Sequence, residues 1–337
     1  MGWYRTLGRR LFFSLSPETA HRLAGYLLDL PLPWASIGAA STDPVLERTV
    51  AGLPLRNPVG LAAGFDKSCA HLDALGALGF GYVVGGTLTS ALRDGNPKPR
   101  IVRYPERGSM TNAMGLPNPG VAPVAEQLTR RARSAAAAPR LVSLADEEVH
   151  AVGRNLDLLL PHVDGFELNP SCPNVSWGRD GDTETHLRLL LSAVGERNGK
   201  PLFVKLPPFE TRAEREAVLA LASLAVEAGA DGVTCSNTRP VADPRLSTGR
   251  GGLSGRVLFP DTLRIVEAMR GALGPGIPIH ACGGVAGGQD ALACLDAGAT
   301  TVQIYSALIF EGPGVVGSIT RGLSIAIRAR DDARAAA

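Results

Sequence analysis

The chain has 337 residues, of which 45% are hydrophobic and 20% are charged, so it can form one large domain or two ordinary ones. Its net charge of +2 excludes the broad basic surface expected of a nucleic-acid-binding protein. The five cysteines are scattered and form no CxxC pair, which argues for free thiols in a reducing compartment and against a zinc site or a disulfide framework.

The first 35 residues come before any strand pattern and predict two helices. Ser16 followed by Pro17 is typical of an N-cap with proline at the first helical position. Apolar residues then share one helical face, at Ala20, Leu23, Ala24, Leu27 and Leu28, and a similar stripe precedes them at Trp3, Leu7 and Leu11. The helices either pack on the rest of the protein or form an apolar platform that touches a membrane surface. No apolar run is long enough to cross a bilayer, and the arginines near the N-terminus argue against a signal peptide.

From about residue 50, short apolar runs alternate with helical patterns, as in a parallel sheet covered on both faces. Eight such runs occur, at 58–64, 81–87, 140–144, 165–169, 201–206, 232–237, 278–284 and 301–306. Eight βα units predict a (β/α)8 TIM barrel, and their number favours it over a doubly wound sheet. The Gly-, Pro- and Arg-rich segment 88–125 is predicted to be a long functional loop after the second strand, facing a polar insertion at 175–185.

Catalytic groups of a barrel cluster at the carboxyl ends of its strands. In this chain those ends carry polar residues or glycines, namely Lys67, Thr87, Ser143, Asn169, Lys205, Asn237, Thr238, Gly283, Gly284, Tyr305 and Ser306. Any one of them could be a cap or a turn residue, but the set predicts an active site. The glycines near the last two strands, together with GGLSG (251–255), match the phosphate site of such barrels and predict a phosphorylated ligand.

Two side chains at these ends invite a chemical role. Burying Lys205 is costly unless the side chain faces an anion. That anion is either an acidic residue of the barrel or a charged cofactor. No acidic residue stands out at the other strand ends, so the cofactor is favoured. Cys172, in the polar loop LNPSCPN, is either a small structural thiol or a reactive one. Because no strand end supplies a histidine to activate a nucleophile, a proton-abstracting base is favoured. The other four cysteines are interpreted as structural.

Together these motifs resemble the dihydroorotate dehydrogenase family, flavin enzymes of pyrimidine synthesis, over nearly the whole chain. The motifs follow the order of the family: NPVGLAAGFDK (57–67), GNPKPR (95–100), NAMGLPN (112–118), ELNPSCPN (167–174), VKL (204–206), SNT (236–238), GGLSGR (251–256) and VQIYS (302–306). The resemblance implies an FMN-binding catalytic barrel at residues 41–337. It also implies an N-terminal helical extension, residues 1–40, that gives access to a membrane or a quinone.

The resemblance implies a role for each matching residue. The FMN phosphate would lie on Gly255, Gly284, Tyr305 and Ser306, and Lys205 would face the electron-rich edge of the reduced ring. The flavin would be lined by Ala62, Ala63, Gly64, Thr87, Ser143, Asn169 and Ser236. The substrate would contact Lys67, Asn112, Met114, Gly115, Leu116, Asn169, Asn174, Asn237 and Thr238. Cys172 would take the proton from C5 of dihydroorotate while a hydride passes from C6 to flavin N5.

The motifs combine features of two branches of that family. The extension with SPETAH (16–21) and the motif GGLSGR resemble the membrane-associated, quinone-reducing branch, in which His21, Arg103 and Tyr305 would line the quinone tunnel. NAMGLPN, Ser143 and Cys172 resemble the soluble branch, which uses a cysteine base. The extension favours quinone as the acceptor, an activity of the EC 1.3.5.2 type, and a cytoplasmic protein held peripherally on the inner face of the cell membrane.

The expected reaction is therefore the FMN-dependent oxidation of (S)-dihydroorotate to orotate in de novo pyrimidine biosynthesis. A related flavin enzyme could act on another dihydropyrimidine or a specialised metabolite, or use a soluble acceptor such as fumarate, and the loop around Trp177 would distinguish it. A flavin-free, phosphate-binding lyase or isomerase would be colourless. A non-catalytic FMN-binding protein of the membrane surface would bind flavin without turnover, and Lys67, Cys172 and Lys205 speak against it.

Overall fold

The computed structural model of the protein describes residues 4–131, 133, 137–145, 149–170, 183–194 and 199–336. The strands are β1 (Arg48–Val50), β2 (Leu53–Leu55), β3 (Val59–Leu61), β4 (Tyr82–Leu88), β5 (Ile101–Tyr104), β6 (Ser109–Asn112), β7 (Arg140–Leu144), β8 (Gly165–Leu168), β9 (Leu202–Leu206), β10 (Gly232–Cys235), β11 (Arg239–Ala242), β12 (Arg250–Gly255), β13 (Ile279–Cys282) and β14 (Thr301–Ile304). The helices are α1 (Arg9–Ser14), α2 (Pro17–Leu28), α3 (Trp34–Gly38), α4 (Leu72–Ala77), α5 (Val121–Arg130), α6 (Val149–Leu159), α7 (Thr183–Val194), α8 (Arg212–Glu227), α9 (Phe259–Leu273), α10 (Gly288–Asp296), α11 (Ser306–Glu311) and α12 (Val315–Ala336).

Eight parallel strands close into a barrel in the order β3-β4-β7-β8-β9-β10-β13-β14. The barrel closes where β14 pairs with β3, with Val302 opposite Val59. Each barrel strand coincides with one of the eight predicted apolar runs, although β4 extends one residue beyond its run, and a helix follows each strand along the chain. The predicted (β/α)8 barrel is therefore confirmed. Strands such as β4, β7 and β9 are buried along their whole length because helices cover them outside and side chains fill the interior.

The amino-terminal end of the barrel is closed by the antiparallel hairpin β1-β2. Val50 and Leu55 of this hairpin form an apolar cluster with Tyr82, Leu141 and Phe203, which stand near the starts of three barrel strands. This end is packed with apolar groups, so the polar chemistry is left to the carboxyl end.

A second, four-stranded antiparallel sheet, the outer sheet, has the order β11-β12-β6-β5. It is made of two hairpins, one after β4 and one after β10. Residues 88–125, predicted to be a long functional loop, contain β5, β6 and the start of α5. The sequences of these strands contain no buried apolar run. β12 has the sequence RGGLSG, and its glycines are typical of turns, so the sequence does not indicate a strand there.

Residues 4–38 fold as a π-helical turn (Tyr4–Gly8) followed by α1, α2 and α3, rather than as two helices. Ser16 caps α2 as predicted: its side chain accepts a hydrogen bond from Thr19 N at 3.3 Å. Arg100 ties α2 to the outer sheet, since its guanidinium donates hydrogen bonds of 2.6 and 2.9 Å to Glu18 Oε1. Several apolar side chains of this region stay exposed, namely Leu7, Leu11, Tyr26, Leu27, Leu30 and Leu32. Within the described ranges, no helix has the length and apolarity needed to cross a membrane.

Candidate active site

One cavity of about 850 Å³ lies at the carboxyl end of the barrel, under the outer sheet. Most of the residues predicted for the site line it: Ala62, Ala63, Gly64, Lys67, Thr87, Asn112, Met114, Leu116, Asn169, Lys205, Ser236, Asn237, Thr238, Gly255, Gly284, Tyr305 and Ser306. These positions span 245 residues of sequence between the first and the last. Their convergence follows from the parallel barrel, which brings the ends of all eight strands to one face.

Glycines shape one end of the cavity. Gly284 has φ +74°, and a Cβ there would lie 2.6 Å from Phe259 N. Gly255 has φ +104°, and a Cβ there would lie 2.4 Å from Gly108 O. Neither position accepts a side chain, so the backbone itself forms the surface, as expected where a chain approaches a ligand closely. Ser306 and Tyr305 line the cavity beside them.

A directed chain of hydrogen bonds orders the polar groups at the strand ends. Asn237 Nδ2 donates to Asn169 Oδ1 at 3.1 Å, and Asn169 Nδ2 donates to Thr87 Oγ1 at 3.2 Å. Thr87 Oγ1 lies 3.1 Å from Ser143 Oγ, which does not line the cavity and instead supports Thr87. Thr238 N donates to Asn237 Oδ1 at 2.8 Å. The two amides are therefore held in defined orientations toward the cavity.

Lys67 brings a buried cation to the cavity from the loop after β3. Its Nζ donates to Gly64 O at 2.6 Å, which Gly64 permits by adopting φ +98°. Burial lowers the pKa of Lys67 to about 8. A lysine with this pKa is still mostly protonated at neutral pH, so it can bind an anionic group of a ligand.

The segment at Met114 and Leu116 forms another wall of the cavity. Asn96 fixes this wall, since its backbone N–H donates to Met114 O at 2.9 Å and its Nδ2 donates to Ala113 O at 3.0 Å. Gly115 does not line the cavity; it has φ +73°, and a Cβ there would lie 2.7 Å from Asn96 N. The predicted glycine is thus a turn residue that lets its two neighbours face the ligand.

Lys205 stands inside the barrel mouth as predicted, with a side chain only 7% exposed. Its Nζ is 3.9 Å from Glu167 Oε1 on the adjacent strand, and Glu167 is 1% exposed. The expectation that no acid faces Lys205 was wrong. Glu167 escaped notice because it sits inside the apolar run GFELN, and only the pairing of β8 with β9 places it next to Lys205.

The three predicted quinone-tunnel residues lie at the junction between the extension and the barrel, but only Tyr305 lines the cavity. Phe65, which the sequence did not single out, lies between the rings of His21 and Tyr305. Its ring centroid is 5.3 Å from that of His21 and 5.8 Å from that of Tyr305. Burial lowers the pKa of His21 to about 4, so this ring is neutral at pH 7. Arg103 donates hydrogen bonds to the carbonyls of Phe12, Phe13 and Leu15 and stacks over the Phe13 ring at 4.5 Å.

Cys172 and Asn174, and the loop around Trp177, lie outside the described residues. Of the other cysteines, Cys69, Cys235 and Cys294 are buried, and burial raises the pKa of each thiol, as expected of structural cysteines. Cys282 lines the cavity, and burial raises the pKa of its thiol as well.

Comparison with known proteins identifies the family. Residues 45–327 match the family described as dihydroorotate dehydrogenase. A protein of Xanthomonas oryzae pv. oryzae named dihydroorotate dehydrogenase (quinone) is 39% identical over 97% of this chain and 97% of its own, and a protein of the same name from Brucella melitensis biotype 2 is 36% identical over 97% and 93%. Among solved structures, DHODH from Eimeria tenella in complex with ferulenol matches with a TM-score of 0.81 and 27% identity over 95% of both chains. Members of this family are flavoproteins. The chain therefore belongs to the dihydroorotate dehydrogenase family.

Proposed function

We propose that this protein binds FMN and oxidises (S)-dihydroorotate to orotate, with a quinone as the electron acceptor. The observation that carries the proposal is the convergence of the family's motif residues, from Ala62 to Ser306, on a single cavity. The name that the curated relatives carry, dihydroorotate dehydrogenase (quinone), supports both the substrate and the acceptor.

The residues around the cavity fit FMN. Gly255 and Gly284 line the cavity without side chains, so a phosphate could approach their backbone, and Ser306 adds a hydroxyl. Gln303 lines the cavity from β14 and is almost fully buried, so its amide adds a polar group to the wall. Lys205 adds a cation, so the site offers donors at both the phosphate end and the ring end of such a cofactor.

The remaining groups of the cavity suit a small anionic substrate. Lys67 can pair with the carboxylate of dihydroorotate, and the ordered amides of Asn169 and Asn237 can hydrogen-bond the imide of its ring. We assign the removal of the C5 proton to the Cys172 thiolate, with Asn174 as a further substrate ligand. When bound, FMN would accept the hydride from C6 and supply the two electrons that reduce the quinone.

The extension supports a quinone acceptor drawn from a lipid phase. In residues 4–38, the side chains of Leu7, Leu11 and Tyr26 have exposed fractions of 73%, 59% and 70%. Exposed apolar side chains are costly unless another apolar phase covers them. Arg5 and Arg9 from the same region line the cavity on that side. We therefore assign residues 1–40 to peripheral contact with a membrane and to quinone access through the junction at His21, Arg103 and Tyr305.

The first test is anaerobic mixing of the purified protein with L-dihydroorotate while the flavin absorbance is followed. Rapid bleaching supports the substrate, and a colourless protein would overturn the proposal at the level of the cofactor. A yellow protein that stays oxidised would overturn the substrate. Quinone, fumarate and NAD are then added in turn to the reduced protein, and reoxidation by fumarate in preference to quinone would overturn the acceptor.

The same mixing tests the base. Cys172→Ala should retain FMN and slow flavin reduction at neutral pH by about 10²- to 10⁴-fold, the range typical of a lost general base. Unchanged reduction would remove Cys172 from the mechanism. Cys294→Ala is the matched control, because this thiol is buried away from the cavity and its pKa is raised.

A further inference from the structure

Glu167 is a buried carboxylate to which the proposed reaction gives no role. It is the third residue of β8 and points into the barrel interior, where it is 1% exposed. Thr234 Oγ1, on β10, donates a 2.9 Å hydrogen bond to Glu167 Oε2. Its other oxygen, Oε1, has no hydrogen-bond partner within the described residues. Burying a carboxylate is costly unless a cation lies nearby.

That cation is Lys205, whose Nζ is 3.9 Å from Glu167 Oε1. The separation is too long for a hydrogen bond but short enough for strong attraction in a buried site. Strand pairing sets this geometry. β9, which carries Lys205, lies between β8, which carries Glu167, and β10, which carries Thr234. Thr234 is directly opposite Lys205, and Glu167 is opposite Phe203. The carboxylate thus lies close to the ammonium group of Lys205 without forming a hydrogen bond to it.

We propose that Glu167 is a positioning residue that, fixed by Thr234, holds Lys205 charged and aimed into the cavity, and thereby sets the reduction potential of the bound flavin. This inference rests on the proposed function, because Lys205 would face the flavin there. Glu167 does not line the cavity, so it would act only through Lys205.

The sign of the effect follows from charge. A flavin gains negative charge when it is reduced, and a cation beside it favours the reduced form. The Glu167 carboxylate partly offsets that cation. Replacing it with the neutral, isosteric glutamine leaves the Lys205 charge less balanced at low pH, so the flavin becomes easier to reduce. At higher pH the difference shrinks, because a buried lysine without its carboxylate loses its proton more readily.

The test is a redox titration of the purified FMN-loaded protein with dithionite and a reference dye at pH 6 and pH 9, which needs no substrate. Glu167→Gln should change the ratio of affinities for reduced and oxidised FMN by about tenfold at pH 6, or about 30 mV for a two-electron couple, toward a more positive potential. Thr234→Val, which removes only the hydroxyl, should shift it in the same direction by less. Thr234→Ser keeps the hydroxyl and should leave the potential unchanged.

The double variant separates positioning from a structural role. In a Lys205→Met background, Glu167→Gln should leave the potential unchanged, because no ammonium group is left for Glu167 to hold. A purely structural Glu167 would lower the melting temperature of Glu167→Gln and leave its potential equal to that of the parent at both pH values, and this result would overturn the inference. Equal shifts with and without Lys205 would overturn it too.

If Glu167→Gln does not fold, Thr234→Val carries the same test. A parent protein that binds no flavin would overturn the proposed function, and the inference with it; a flavin that binds but that dihydroorotate does not reduce would leave this test standing.

Discussion

The barrel and the N-terminal region each depart from the usual rule that charged groups are exposed and apolar groups are buried. The barrel buries charged groups, and the N-terminal region exposes apolar ones. The barrel interior holds a charged pair, Lys205 and Glu167, at a depth where apolar side chains are the rule. Residues 4–38 leave leucines and a tyrosine on the surface. They are held to the rest of the protein by apolar packing of Trp34 and Ile37 and by polar contacts from Arg100 and Arg103.

The difference shows where each region meets something other than water. A buried charge is tolerated if it acts on a ligand, and an exposed apolar face is tolerated if another apolar phase covers it. On the function proposed above, the barrel would bind a charged small molecule, while the extension would contact a membrane surface. The predictions below test each half of this contrast, from the largest expected effect to the smallest.

Removing the buried cation should have the largest effect. Lys205→Met should slow the reduction of FMN by dihydroorotate by about 10²- to 10³-fold, the usual loss when one preorganised electrostatic group is removed from an active site. Stopped-flow absorbance measures this rate in a protein that still binds flavin. Lys200→Met is the matched control, since Lys200 bonds to the carbonyls of Leu160 and Val163 away from the cavity. Equal rates for the two variants would deny Lys205 its role.

Making the exposed face of the extension acidic should come next. Leu7→Asp with Leu11→Asp should lower the partition of the protein into phospholipid vesicles by at least about 100-fold, because burying each of the two leucines contributes roughly 1.5–3 kcal/mol. Reduction of a vesicle-bound quinone should fall in parallel, while flavin reduction by dihydroorotate should not change.

The matched control for that pair is Leu158→Asp with Leu189→Asp, two exposed leucines on barrel helices α6 and α7. This control should leave vesicle binding intact. A similar loss in both pairs would mean that vesicle binding depends on overall charge and not on the face formed by the extension.

The pH dependence of ligand binding tests the other buried cation. The pKa of Lys67 is about 8, so the side chain is charged below that pH and loses its attraction for a carboxylate above it. The affinity for orotate, followed by the flavin spectrum, should be constant below pH 8 and fall by up to tenfold per pH unit above it. Lys67→Met should bind orotate weakly and without this dependence. A flat profile in the parent protein would argue against Lys67 as the carboxylate ligand.

The contact between the two regions should give the smallest effect. Glu18→Gln weakens the pair with Arg100 and should lower the free energy of unfolding by about 0.5–1 kcal/mol, as expected of a partly exposed ion pair. Denaturant unfolding measures this loss, and quinone reduction should decline more than flavin reduction. Glu126→Gln, at an exposed pair with Arg130 on α5, is the control and should change neither. A decline in flavin reduction alone would show that Glu18 serves the substrate side.

The barrel could be predicted from sequence because each of its strands is a short apolar run between helical patterns, a signal carried by neighbouring residues. The outer sheet could not, because β5 is half exposed, β6 is mostly polar and β12 is rich in glycine, so none of the three has the pattern of a short apolar run. The same limit explains the site. Lys67, Lys205 and the asparagines stand at recognisable strand ends, whereas Glu167 and Phe65 gain their roles from neighbours on other elements. The assignment of Cys172 and Asn174 stays a prediction from sequence.

The outer sheet also bears on the order in which the molecule assembles. β6 pairs with β12, with Asn112 opposite Gly252, a separation of 140 residues along the chain. Contacts between such distant segments are slow to form, because a long loop must close before any of them stabilises the chain. These two strands also carry residues of the cavity wall, including Asn112 and Gly255. The ligand site is thus completed only when both halves of the barrel have come together, so ligand binding there would report a fully folded chain rather than a partly folded one.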